Sequence, residues 1–147
     1  MSRVIYNDEG DVYGILAAGR WEANRDRVRR SKRGKAALTQ LLTDLEAWPS
    51  KKLAADTFCE VREGGEVKAC VMGVYELARG KDPDELRSLN NADADETAYS
   101  LRNEQLSFQL IWMLVEENDE FMADKTDEER YESMVELVKK WLALPAL

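Results

Sequence analysis

The chain has 147 residues, of which 44% are hydrophobic and 34% charged, with a formal net charge of −8; this is the size and make-up of one globular domain, not of a disordered or fibrous chain. No apolar run approaches the roughly 20 residues of a spanning helix, and the start MSRVIYNDEG lacks the apolar stretch of a secretory signal, so a soluble cytoplasmic protein with no membrane association is expected. Histidine is absent and there are two cysteines, which removes the usual proton shuttle at neutral pH and argues against catalytic triads and zinc sites.

Residues 1–19 are weakly patterned, a lead-in whose Asn7 to Asp11 form a polar turn. Charge then concentrates: Arg20 to Ala36 holds eight basic and two acidic side chains, +6, so the rest of the chain carries −14. Over 24–48 a long helix is expected, basic and then amphipathic, because Leu38, Leu41, Leu42, Leu45 and Trp48 recur at helical spacing before Pro49 stops it. Gly34 inside this pattern bends the helix, splits it in two, or admits a neighbouring backbone. The basic face of Arg25, Arg27, Arg29, Arg30, Lys32, Arg33 and Lys35 has two readings. It is a solvated surface paired with the chain's own acids, or an arm for phosphates. No aromatic residue interleaves it after Trp21, and no base-reading motif is present.

The segment 57–71, TFCEVREGGEVKACV, reads as a β-hairpin. Cys59 and Val61 alternate before the turn, and Val67, Ala69 and Val71 after it; facing the two sets through a Gly64-Gly65-Glu66 loop pairs Val61 with Ala69. Cys59 and Cys70 then point to opposite faces, which favours two reduced, packed thiols over a disulfide. A short helix from Met72 to Ala78 follows, closed by Gly80. KDPDELRSLNNADADE reads as an acidic loop with one helical turn after Asp82-Pro83.

The segment 105–117 is apolar around most of its circumference, since Leu106, Leu110, Met113 and Leu114 make one stripe and Phe108, Ile111, Trp112 and Val115 another. It is the expected core helix. Nine carboxylates lie between Leu114 and Met134. An EF-hand counted from Asp119 fails, because its sixth residue is Asp124 and its twelfth Arg130. Thr126 with Glu129 instead forms a capping box, with Asp127 and Glu128 in the first turn of a last helix at 127–143. Asn118, Asp119, Glu120 and Arg130 form a possible polar site; its structural version ends the core helix on a left-handed Asn118, with Asp119 or Glu120 accepting from backbone or from Arg33 or Arg130. No metal and no cofactor is expected. The fold class is α+β, mainly α, a helical domain spanning 1–147 with one small hairpin and Trp48, Leu110, Leu114, Met134, Val138 and Trp141 in its core.

The blocks RSKRGKAALTQLLTDLEAWPSKKLAA, GEVKACVMGVYELARG, and ENDE before TDEERYESMVELVKKWL resemble, in order, a widespread family of small tailed-phage and prophage proteins. The family's blocks are a K/R-G-K/Q run entering a leucine-rich helix that closes on Leu-Pro, a Gly-x-x-Cys-Ala-x-Gly hairpin, an Asn-Asp-Glu turn, and Thr-Pro-Glu-Glu-Arg before a Trp-containing last helix. The match runs from about Arg29 to Leu142, with Asp127 where the family often has Pro and Lys68-Ala69 altering the hairpin. The resemblance implies a phage-related origin and action in the bacterial cytoplasm, and no catalytic residue. The first expectation is a non-enzymatic accessory protein that binds a host protein, as host-takeover or counter-defence inhibitors do. The alternatives are a nucleic-acid-binding module using the basic face and a carboxylate-dependent Mg²⁺ enzyme at Asn118, Asp119 and Glu120.

Overall fold

The computed structural model describes residues 23–147, so the lead-in expected at 1–19 lies outside the described residues. The fold is α+β and mainly helical, as expected. Helix α1 occupies 23–30 of the described chain, and α2 spans Lys32–Ala47. The single long helix expected at 24–48 is therefore two. The break is Ser31, which adopts an extended conformation and caps α2 by accepting from the Gly34 N–H. Gly34 is required there: a Cβ on it would stand 1.9 Å from the Val28 carbonyl oxygen.

Strands β1 (Cys59–Val61) and β2 (Val67–Ala69) pair antiparallel, with Cys59 opposite Ala69 and Val61 opposite Val67. The expected Val61–Ala69 pairing is thus wrong by two residues, because the turn closes earlier. The Gly65 N–H donates to Arg62 O, and the Arg62 N–H to Glu66 O, so the connection includes Arg62 and Glu63. Both cysteines are free and buried. Asn90 covers the edge of β1, its Oδ1 accepting from the N–H groups of Phe58 and Cys59 and its Nδ2 donating to Cys59 O. One side-chain amide thus pairs the strand edge as a peptide group would.

Helix α3 (Val71–Ala78) follows β2 directly. The acidic segment is more ordered than expected. It holds α4 (Pro83–Leu86), a 3₁₀ turn (Arg87–Leu89) and α5 (Ala94–Leu101), which Asp93 caps through the Glu96 N–H. The core helix α6 (Phe108–Glu116) starts later than 105 because Ser107 is its N-cap. It runs into a π-helical turn (Glu117–Phe121), and the chain ends in α7 (Asp127–Leu142), whose capping box between Thr126 and Glu129 is complete.

Helix α2 packs on α7 and α3, and α5 on α6. Helix α2 supplies Ala37, Leu38, Leu41 and Leu45, α6 supplies Leu110, Ile111, Met113 and Leu114, and α7 supplies Met134, Val138 and Trp141. Burying each large apolar side chain contributes about 1.5–3 kcal/mol. Five of the six expected core residues are buried; Trp48 is only partly so, since its indole N–H donates to Lys52 O at 3.1 Å near the surface. The Tyr131 hydroxyl donates to Leu45 O at 2.7 Å and ties α7 to the end of α2.

Trp141→Ala removes a buried aromatic from the α2–α7 contact and is expected to destabilise by about 3–5 kcal/mol. Thr126→Ala, losing one cap, is expected to cost about 1 kcal/mol. Urea unfolding followed by circular dichroism measures both, and equal effects of the two substitutions would contradict the placement of Trp141.

Candidate functional site

The π-helical turn carries the polar residues singled out in the sequence. Here the Met122 N–H donates to Glu117 O at 3.0 Å, five residues back, so the turn is one residue wider than an α-helix. Asn118 lies inside it, fully buried, and not in the left-handed conformation expected of a helix terminator. Its Oδ1 accepts from the Val71 N–H at 3.1 Å, and its Nδ2 donates to Ala54 O at 2.9 Å and to Asp119 Oδ1 at 2.7 Å. The Asp119 carboxylate also accepts from the Asp56 N–H at 3.2 Å. Asp119 takes its bonds from an amide and a peptide group, not from Arg33 or Arg130.

Arg130 is 3% exposed. Its guanidinium donates to the carbonyls of Leu53 (2.7 Å), Met122 (3.2 Å) and Lys125 (2.6 Å) and to Asp127 Oδ1 (2.9 Å). A buried charge needs such partners. Arg130 therefore stitches the loop between the π-helical turn and α7 to the segment after α2. Glu120 stands exposed at the rim.

Beside the turn lies a cleft of about 360 Å³ whose walls include Asp56, Asn91, Asp93, Glu116, Asp119 and Glu120. Asp56 (φ 56°) and Asn91 (φ 70°) hold left-handed backbone at its edge. Burial pushes the Asp119 carboxyl above the ordinary carboxylate range, against the lowering effect of the bonds from Asn118 and Asp56. Burial also raises Glu117, with the Arg25 charge opposing it. Among the described residues no three His, Cys, Asp or Glu side chains converge to hold a metal ion. Burial drives the Cys70 thiol up to about 12, far from thiolate chemistry at neutral pH.

The basic face is not one surface. Arg25 pairs with Glu116 at 3.5 Å, and Arg29 with Asp26 at 3.6 Å while its guanidinium lies 5.3 Å from the centre of the Trp141 ring. Arg30 pairs with Asp26 at 2.7 Å and donates to Pro145 O. The Lys35 ammonium donates to Leu142 O and Leu144 O, where the negative end of the α7 dipole lies. Arg27 donates to Asn24, and Arg33 to Asn103 O; these two and Lys32 are exposed. The arginine-rich run thus works mostly as internal pairing. Asp56, Asn91 and Asp93 approach Asp119 only through the fold, so no local pattern in the sequence marks them as cleft residues.

No family model, curated protein or solved structure matches the chain.

Asn118→Ala would leave the Val71 N–H and the Ala54 carbonyl unpaired in the interior, and at about 1–3 kcal/mol for each group the expected loss is about 2–6 kcal/mol. Chemical denaturation checks this, and a loss under about 1 kcal/mol would remove Asn118 from the structural role.

Burial raises Asp44, Glu76, Glu117 and Asp119, so the folded chain binds more protons than the unfolded chain between the ordinary carboxylate range and the raised values. Stability is expected to climb as pH falls from neutrality toward that range. Below it stability should fall, because Asp127 and Glu129 are held low and lose their contribution on protonation: Asp127 by Lys68 and Arg130 against its own burial, Glu129 by the Thr126 N–H. Urea midpoints across this pH interval measure the effect. Asp119→Asn should flatten the rise, and a midpoint that only falls on acidification would contradict the assignment.

Proposed function

We propose that this chain is a non-enzymatic accessory protein of phage origin that acts in the bacterial cytoplasm by binding a host protein, as an inhibitor of the host-takeover or counter-defence type. The observation that carries the reading is how the polar groups are used. Asn118 and Arg130, the residues best placed for chemistry, are spent on backbone groups of the chain itself. The exposed charge lies elsewhere. Asp82, Asp84, Glu85, Asp93, Asp95 and Glu96 are exposed on the α4–α5 segment, where Arg87 is paired with Asp84 at 3.3 Å. A surface of one sign steers an oppositely charged partner and confers selectivity, so the host partner presents a basic face. The phage origin rests on the ordered blocks between Arg29 and Leu142. Among the described residues no helix is long and apolar enough to cross a membrane.

A nucleic-acid module is the second reading, and Arg27, Lys32 and Arg33, the exposed members of the basic face on α1 and α2, favour it. They are few for a phosphate track, since each phosphate contact adds about 0.9 to the salt slope on duplex DNA.

Pull-downs from host lysate with wild-type protein and with a variant reversing Glu85, Asp95 and Glu96 to Lys test the proposal. A partner retained by the wild type, released by added salt and lost with the reversal is expected. Retention unchanged by the reversal, or steep salt-dependent DNA binding lost on reversing Arg27, Lys32 and Arg33, would displace it.

A further inference from the structure

On another part of the surface, an open depression of about 710 Å³ is lined by Arg33, Arg102, Asn103, Glu104, Ser107 and Phe108. Both guanidinium groups are held in place by backbone. Arg33 donates to Asn103 O, and Arg102 donates to Tyr99 O at 2.8 Å while lying 3.9 Å from the centre of the Tyr99 ring. Among the described residues neither has a carboxylate within ion-pair distance, whereas Arg25, Arg29, Arg30, Arg79, Arg87 and Arg130 all do. Each fork keeps further N–H donors for a ligand. The depression also adjoins the start of α6, whose first turn, like those of α2 and α3, holds no acid. In a chain of net charge −8, two backbone-held guanidinium groups against one exposed carboxylate, Glu104, leave this concavity net positive and suited to an anion.

We propose that this depression binds a small phosphate ester with a flat apolar body, a nucleoside monophosphate being its simplest form. Planar guanidinium forks match phosphate oxygens, and holding them beforehand reduces the ordering cost of binding. Phe108, half-buried at the wall, offers an aromatic surface for a base. Glu104 offers an acceptor for sugar hydroxyls. The site goes beyond the host-protein reading and does not depend on it.

Amide NMR spectra of the full chain titrated with AMP, adenosine and an unphosphorylated oligonucleotide test the site. Saturable shifts at Asn103, Ser107 and Phe108 with AMP are expected, with affinity at least about tenfold weaker for adenosine and about tenfold weaker in Arg102→Gln. Arg62→Gln, distant in sequence and outside the depression, should bind AMP as the wild type does. Arg33→Gln is a second variant, read only if its melting curve shows a folded chain. Absence of a saturable shift with AMP, adenosine binding as tightly as AMP, unchanged affinity in Arg102→Gln, or tighter binding of the oligonucleotide would each overturn the proposal.

Discussion

Three parts of the chain meet at the side chain of Asn118. The segment at Ala54 and the start of α3 at Val71 are both buried, and each presents a backbone group that no helix or strand satisfies: one an acceptor, the other a donor. A carboxamide supplies a donor and an acceptor on one rigid plane, which neither a carboxylate nor an apolar side chain does. Its bond to Asp119, which takes the Asp56 N–H, extends the network to a residue in left-handed backbone. The π-helical turn follows from the same requirement. By adding a residue to the turn it alters the direction of the side chains after α6, and Asn118 faces inward while Glu120 faces out.

Charge pairing sets the other half of the architecture. The positive charge on α1 and α2 complements groups at the far end of the sequence: Lys35 meets the last carbonyls of α7, Arg30 meets Pro145, and Arg29 covers the Trp141 ring. Cations near the start of α2 work against its own dipole, and their interaction with the negative end of α7 offsets that cost. Ser31 makes this geometry possible. Breaking the helix there lets α1 take a path of its own while its last residues stay close to the chain terminus, where the Leu147 N–H donates to Arg30 O.

Legibility in the sequence follows the range of the interaction. The last helix was readable because its capping box and its apolar stripe ending at Trp141 are local. The hairpin was readable as a hairpin, but its register depends on where the turn closes, and two adjacent glycines leave that open. Helix α5 was missed since its alanines and acids give little apolar periodicity, although Asp93 three residues before Glu96 was a capping signal. The helix break at Ser31 was legible as one of three readings of Gly34, and the close contact with the Val28 carbonyl that selects it belongs to the fold. The roles of Asn118 and Arg130 were partly legible as polar residues beside a core helix. Their partners at Leu53, Ala54 and Val71 lie far off in sequence, so the fold alone identifies them.

The half-buried carboxylates connect this architecture to the proposed mode of action. Asp119 is raised by burial, and the cleft at Asp119 continues through Asn91 and Asp93 into the exposed acids of α5. A cationic partner seated on that surface stabilises the charged form of each nearby acid and so draws its pKa down. Linkage then requires that the partner's arrival release protons from any such group still protonated, and that acidification weaken the complex over the interval in which it strengthens the isolated fold. In the proposed complex, opposite responses of fold and complex to pH would follow from carrying acids on which burial and a positive partner act with opposite sign.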